Sequence, residues 1–501
     1  MRPGWWPGWL PLLLVLALPS AYTQPTIGHF WHISDLHYDV NFSLDGDIRH
    51  NCRRWSGNGN VLGMGESRRP DGKFGDLHCD APLSLLESAT TAMKDIAKEV
   101  DFVLWTGAGP VTGHDSSTAM TVTSLLLRAF TSQFVFPVLG PDVRHADHYK
   151  QAAEIWRNWL PEEAMPTFYK GGYYTIEQKS KPLRIVALNT NLWLEPGRST
   201  ASSRDAWGEP RRSREGVAGV VREPWEVREN RVHDEDPAGQ WSWLEYELQK
   251  ARIAKKTVYL VGHTGPGADD RAPNPTLSSG HGGLLDHHNT RFLKLVKRNA
   301  DIIVGQFFSN RHSDTFRVVY NDSGSPVSWM LMPPSVTPRR TQGGSNNPGI
   351  RLYKYDNSTG NVLDYSQYYL DLKRANREGR AEWKLGYNLT SYYSMREVSA
   401  RSFHQVAESF TSSEAGPTSF ARYYRANSAF LYDSPSNCYP QCQRSHYCAI
   451  TCLPYSDYRT CMESPASALP SSGASAPRRL LFLLLIPYLL PVAVLATGRP
   501  S

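Results

Sequence analysis

His29-Phe30-Trp31-His32-Ile33-Ser34-Asp35-Leu36-His37 runs an apolar, strand-type segment straight into Asp-x-His. Five further runs end in the same manner: Asp101 to Ala108 through Thr106-Gly107, Val135 to Asp142 through Gly140-Pro141, Ile185 to Asn189, Val258 to His263 through Gly262, and Ile302 to His312. Short Val/Ile/Phe-rich segments closed by Gly or a polar residue suit strands buried under helices. The fold class is therefore α/β. Side chains at the carboxyl ends of such strands converge on one crevice.

Hard divalent cations acting on phosphate esters need carboxylate, imidazole and amide ligands gathered from several strand ends, because no single segment can surround two ions. Asp35 and His37 supply two ligands from one strand end, and His263 and His312 supply imidazoles from two others. Order and spacing resemble the calcineurin-like metallophosphoesterases, whose blocks read D-x-H, G-D-x, G-N-H-[DE], G-H and G-H-x-H. Phe30 to Asp39, Asp101 to Gly107, Val261-Gly262-His263, Gly305 to Phe308 and Asn346 to Ile350 narrow the resemblance to the acid sphingomyelinase-like phosphodiesterase family, over roughly residues 27 to 462. The C-terminal tail described below points to its 3b branch. The resemblance implies a four-layer α/β/β/α sandwich, two zinc ions sharing an aspartate, and a histidine that protonates the leaving group. It also implies the pairings Cys52 with Cys79, Cys438 with Cys442, and Cys448 with Cys461, leaving Cys452 odd.

The departures from that pattern decide the functional reading. Ala108 stands at the bridging aspartate, Pro141 at the amide ligand, Asp142 at the catalytic histidine, and Asn310 at one imidazole of the last block. Arg311 brings a fixed positive charge beside the expected cations. The first site keeps Asp35, His37 and His312; the second keeps only His263. Three ligands can hold one zinc with open positions, and one ligand cannot hold a second. Two-metal phosphoryl transfer is then unavailable. At most one zinc is expected. The reading is a catalytically impaired member that binds a phospholipid headgroup, a nucleotide or a protein through the old pocket. The alternative is an active phosphodiester hydrolase on sphingomyelin-like or nucleotide substrates, using an altered one-zinc site or substitute ligands from His114, Asp115, Asp142, His145, Asp147 and His148.

Composition sets bounds without choosing an activity. A chain of 501 residues, 40% hydrophobic and 20% charged, buries a large core. Its net charge of +6 is mild, and no basic stripe with interleaved aromatics forms, which excludes nucleic acid as partner. Met1-Arg2-Pro3-Gly4 followed by an apolar run to Ala21 reads as a secretory signal over 1–22. That route gives meaning to the sequons at Asn41, Asn321, Asn357 and Asn388, and favours disulfides among the seven cysteines. Spacing alone leaves their connectivity open, and a zinc knuckle is the competing reading of the C-terminal cluster.

Residues 27–364 read as the metallophosphoesterase domain and 365–462, rich in aromatics, as a helical, disulfide-closed subdomain. Within the first, 195–237 carries eight arginines and ten acidic residues and reads as a solvated insertion at the rim of the pocket. His281 to His288 reads as a surface loop. A Ser/Ala/Pro-rich spacer, 463–479, precedes a 17-residue apolar tail, 480–496. Small residues, spacer and tail look like a signal for a glycosylphosphatidylinositol anchor, with a single transmembrane helix as the alternative. Either places the folded part at the outer face of the plasma membrane; without an anchor it is secreted.

Overall fold

The computed structural model describes residues 26–54, 68–108, 116–140, 143, 146–177, 181–194, 234–270, 283–340, 344–435, 438 and 440–464. Its strands are β1 (Ile27–Ser34), β2 (Phe42–Asp47), β3 (Phe102–Ala108), β4 (Phe134–Leu139), β5 (Tyr174–Glu177), β6 (Leu183–Ala187), β7 (Thr257–Thr264), β8 (Ile303–Ser309), β9 (Thr315–Tyr320), β10 (Pro326–Met332), β11 (Gly349–Asp356), β12 (Val362–Leu370) and β13 (Trp383–Asn388). Twelve of them form two six-stranded sheets, ordered β13-β12-β11-β1-β3-β4 and β5-β6-β7-β8-β10-β9. Both are mixed. In the first, β1 runs parallel to β3 and antiparallel to β11; in the second, β6, β7 and β8 run parallel.

Period-two alternation explains why these apolar runs contain almost no polar breaks. In β7, Tyr259 and Val261 join the core between the sheets while Val258 and Leu260 join a second core under helices Gln240–Ile253 and Asp286–Arg298. β8 and β10 divide likewise, with Phe307 and Leu331 inward, Phe308 and Met330 outward. On the first sheet Trp105 points to the opposite side and packs edge-on against Trp156 and Trp159. The result is helix, sheet, sheet, helix, as the resemblance implies. At its centre Phe30 is stacked between Phe102 and Tyr353, both 4.7 Å away, and meets the Phe307 edge from the facing sheet at 5.5 Å.

The expected boundary at 364/365 is corrected: it cuts β12, which with β13 belongs to the first sheet. Helices begin in earnest at Ala400–Ser409, and they do not make a separate unit. Phe403, Phe410, Phe420, Tyr423 and Tyr447 belong to the same core as Phe30, because Phe403 covers Phe316 and Trp329 of β9 and β10. Aromatic residues there alternate between sheet and helix, which hides the strands in the sequence. The structure pairs Cys52 with Cys79, Cys438 with Cys442 and Cys448 with Cys461; Cys452 is a half-buried thiol that burial pushes up to about 11. A zinc knuckle is thereby excluded for Cys438 and Cys442. The segment read as a loop up to His288 is also corrected in part. His288 is a fully buried residue of helix Asp286–Arg298, accepting from Trp241 Nε1 at 3.2 Å, because His288, Phe292 and Leu295 fall on one helix face.

The signal segment 1–22, most of the insertion (195–233), His281, most of the spacer and the apolar tail lie outside the described residues, as do His114, Asp115, Pro141, Asp142 and His145. What is described of the insertion leads into a helix: Asp236 accepts from Trp241 N at 2.7 Å. Among the described residues no helix is long and apolar enough to cross a membrane.

Replacing Phe30 by Ala empties a ring-sized volume that three neighbours cannot fill. A loss of about 3–5 kcal/mol is expected, read as a lower urea midpoint at unchanged slope.

Candidate metal centre

The residues that follow β1, β3, β7 and β8 meet at one end of the sandwich. Asp35 is held by backbone bonds on both sides, its N–H to Thr106 O at 3.1 Å and its C=O from Thr337 N at 3.2 Å. The carboxylate is fully buried. Its Oδ2 accepts the Asn310 N–H at 3.0 Å, while Oδ1 has no hydrogen-bond partner. Three imidazole nitrogens face that oxygen: His312 Nε2 at 3.6 Å, His37 Nε2 at 3.7 Å and His263 Nδ1 at 3.8 Å. Burial would push the Asp35 carboxyl up, but the surrounding imidazoles, His312 foremost, outweigh it and hold the carboxyl well below the usual range.

Backbone strain gathers at the same place. Asp35, His37, Asn310 and His312 have φ of +46°, +39°, +68° and +55°, a left-handed region that side chains disfavour. Gly107, at φ +80°, closes the approach from β3: a Cβ there would lie 2.6 Å from Asp35 Oδ1 and 3.0 Å from the His263 ring. Its neighbour Ala108 ends the strand and pairs through its backbone with Leu139.

Asp35, His37 and His312 form the set predicted for the first site, with one ligand atom from each, all within 4.8 Å of one another. His312 Nδ1 donates to the Arg339 carbonyl at 2.8 Å, which makes Nδ1 the protonated nitrogen and leaves the Nε2 lone pair toward Asp35. An orphaned carboxylate oxygen among imidazole lone pairs is a donor set that fits one zinc-sized ion, whose bonds to N and O are about 2.0–2.2 Å.

His263 stands apart from that set. Its Nδ1 shares a hydrogen bond with Ser309 Oγ at 2.8 Å, and its buried Nε2 has no partner. Asn310 Nδ2 donates to Thr264 Oγ1 at 3.1 Å. Hydrogen bonds thus tie His263 to Ser309 and Asn310 to Thr264. Burial first, then the charge of Arg311 and the His37 ring, outweigh Asp35 and lower His263 to about 4, so the ring is neutral near pH 7.

Arg311 sits beside the crevice, close enough for its charge to reach His263. Its guanidinium turns from the carboxylate to Asp269 at 3.0 Å and Gly267 O at 3.1 Å. The left-handed residues on either side of it rotate consecutive side chains to different faces. Of the substitute ligands proposed from sequence, Asp147 is exposed and pairs with Lys150, and neither it nor His148 joins the ligand cluster. Sequence reasoning missed Ser309, Thr264 and Arg339, which act through hydrogen bonds and carry no motif. Asn191, after β6, donates from Nδ2 to Gly140 O at 2.7 Å and fixes the end of β4.

A family model described as the acid sphingomyelin phosphodiesterase C-terminal region matches residues 325–468. Among curated proteins the chain is similar to the cyclic GMP-AMP phosphodiesterase SMPDL3A of Bos taurus, 32% identical with 89% of this chain and 93% of that protein covered. It is similar to acid sphingomyelinase-like phosphodiesterase 3b of Mus musculus, 31% identical over 97% and 99%, and of Homo sapiens, 31% over 90% and 94%. Identity therefore does not separate the two branches. Among solved structures a similarity to "Structure of PhoD" has a TM-score of 0.38 at 10% identity, covering 73% of this chain and 69% of that one.

Gly107→Ala forces a Cβ into the carboxylate at a strained φ; a cost of about 2 kcal/mol or more is expected in urea unfolding, and wild-type stability would show a looser crevice. His32 lies beneath the site, its Nε2 bonded to Thr106 Oγ1 at 2.9 Å, and burial, then Arg351, lower it to about 3. Its folded value is below the unfolded 6.5, so the stability it contributes is full above pH 6.5 and is lost as pH falls toward 3. Between pH 7 and 5 the His32→Gln variant should lose about 2 kcal/mol less than wild type in parallel urea titrations.

Proposed function

Because this chain belongs to the acid sphingomyelinase-like phosphodiesterase family, we propose that it is a catalytically impaired member that holds at most one zinc and binds phosphate esters, on a lipid headgroup or a nucleotide, or a protein ligand through the old crevice. One observation carries the proposal: Asp35 Oδ1 is buried without a hydrogen bond and faces His37 and His312, while His263 is bonded to Ser309 and Asn310 to Thr264.

Asp35, His37 and His312 would hold the ion. Bound there, zinc would supply a Lewis acid for a phosphoryl oxygen. The chain's own residues provide the rest: Gly107 leaves the opening, Arg339 O orients the His312 ring, and the Asn310 N–H holds Asp35 in place. Ala108, Pro141, Asp142 and Asn310 supply neither the shared carboxylate nor the second-site amide and imidazole, nor the histidine acid of the family pattern. Three ligands with open positions also suit a catalytic single-zinc site, which is why hydrolysis is the second reading. The signal-like start, sequons and disulfides support a secreted protein, or one displayed outside the membrane through its apolar tail. Of the sequons, Asn41 is exposed, whereas Asn321, Asn357 and Asn388 are half-buried.

The test is zinc content of the chelator-stripped, zinc-reloaded ectodomain, with hydrolysis of bis(4-nitrophenyl) phosphate assayed on the same sample. At most one zinc per chain is expected, lost in the Asp35→Asn variant, with turnover no higher than in that variant. Two ions with turnover would overturn the reading; one ion with Asp35-dependent turnover would establish the hydrolase.

A further inference from the structure

Helices Gln240–Ile253 and Asp286–Arg298 run in the same direction over the outer face of the second sheet. Trp241 meets His288 near their starts, and Arg252 donates to Asn299 Oδ1 at 3.1 Å near their ends. Those ends lead into the first residues of β7 and β8, so they lie at the opposite end of the sheet from His263 and His312. Between them is a cleft of about 240 Å³ lined by Glu245, Arg291, Lys294, Leu295, Arg298 and Asn299.

Charge in the cleft is unbalanced. Glu245 is neutralised by Arg291 at 3.2 Å, whose guanidinium is fixed over the Trp241 ring at 4.9 Å and donates to Glu235 O at 2.9 Å. Asp301 is taken by Arg252 in a two-pronged ion pair, and Asp322, which also feels the charge of Lys294, is paired with Lys297 at 3.0 Å. Lys294 and Arg298, both exposed and one helical turn apart, have no ion pair among the described residues. The negative end of the helix dipole offsets about half a charge, which leaves the pair largely uncompensated.

We propose that this cleft binds the sulfate esters of a linear acidic polysaccharide. A guanidinium and an ammonium on successive turns suit an oxyanion held by several donors. A cleft smaller than most small-molecule pockets, lying along two parallel helices, suits groups presented on an extended chain. Three disulfides point to an oxidising compartment, outside the cytosol, where the abundant linear polyanions are sulfated glycans rather than nucleic acids. The crevice with Asp35 is not involved.

The experiment measures affinity of the full secreted protein for immobilised heparin across a salt series. Wild type should be retained, with affinity falling as salt rises. The Lys294→Ala/Arg298→Ala variant should bind about tenfold more weakly, with unchanged melting temperature. Lys250→Ala/Lys255→Ala, which removes the same charge from exposed residues outside the cleft, should stay close to wild type, and fully desulfated heparin should not bind. Equal loss in both double variants would reduce the effect to net charge and overturn the proposal. So would no retention of wild type, retention on the desulfated polymer, or preference for phosphatidylserine vesicles over heparin.

Discussion

One carboxylate oxygen, Asp35 Oδ1, sets the terms for the whole crevice. It is buried, receives no hydrogen bond, and is surrounded by imidazoles from three strand ends. Keeping it there requires left-handed backbone at four residues and a glycine opposite. Strain of that kind persists only where surrounding structure over-determines it. Here the surroundings are the stacked aromatics around Phe30 and the paired β1 and β3, which deliver Asp35 and Gly107 to the same point. The backbone that presents Asp35, His37 and His312 together is thus held from both sheets.

The side that departs from the pattern shows why such a departure is tolerable. A buried polar group is costly only when nothing satisfies it. Ser309 satisfies one nitrogen of His263, Thr264 satisfies Asn310, and Asp269 neutralises Arg311. Each of these three side chains has found a partner. The loop after β7 is also held from the C-terminal side, where Asp270 pairs with Arg317 at 3.4 Å and with His446 at 2.8 Å.

Much of this could be read from residues alone. The strands and their order follow from apolar runs with polar ends, and Asp35, His37 and His312 were legible as one set because metal ligands need particular residue types at particular strand ends. What could not be read was direction. Sequence places Arg311 next to His312, but the turn between them sends the two side chains apart. It groups His288 with its exposed neighbour His287, while helical spacing buries one of the two. It also presents the residues from Tyr365 onward as a helical, aromatic stretch, because strands that pack beneath helices use the same aromatic side chains as the helices above them.

The pairing of β1 with β11 has a consequence for biosynthesis. Ile27 bonds in register opposite Asp356, so the strand that carries the crevice has one edge unmatched until the last third of the chain exists. A chain emerging from the ribosome N-terminus first must hold that edge, and the ring of Phe30 that stacks on Tyr353, without their partners throughout the intervening synthesis. Pairings of such separation in sequence fold slowly and leave strand edges open to aggregation. The Cys52–Cys79 bridge, by contrast, closes within the first stretch to emerge. The earliest segment can thus be fastened locally well before its sheet is completed.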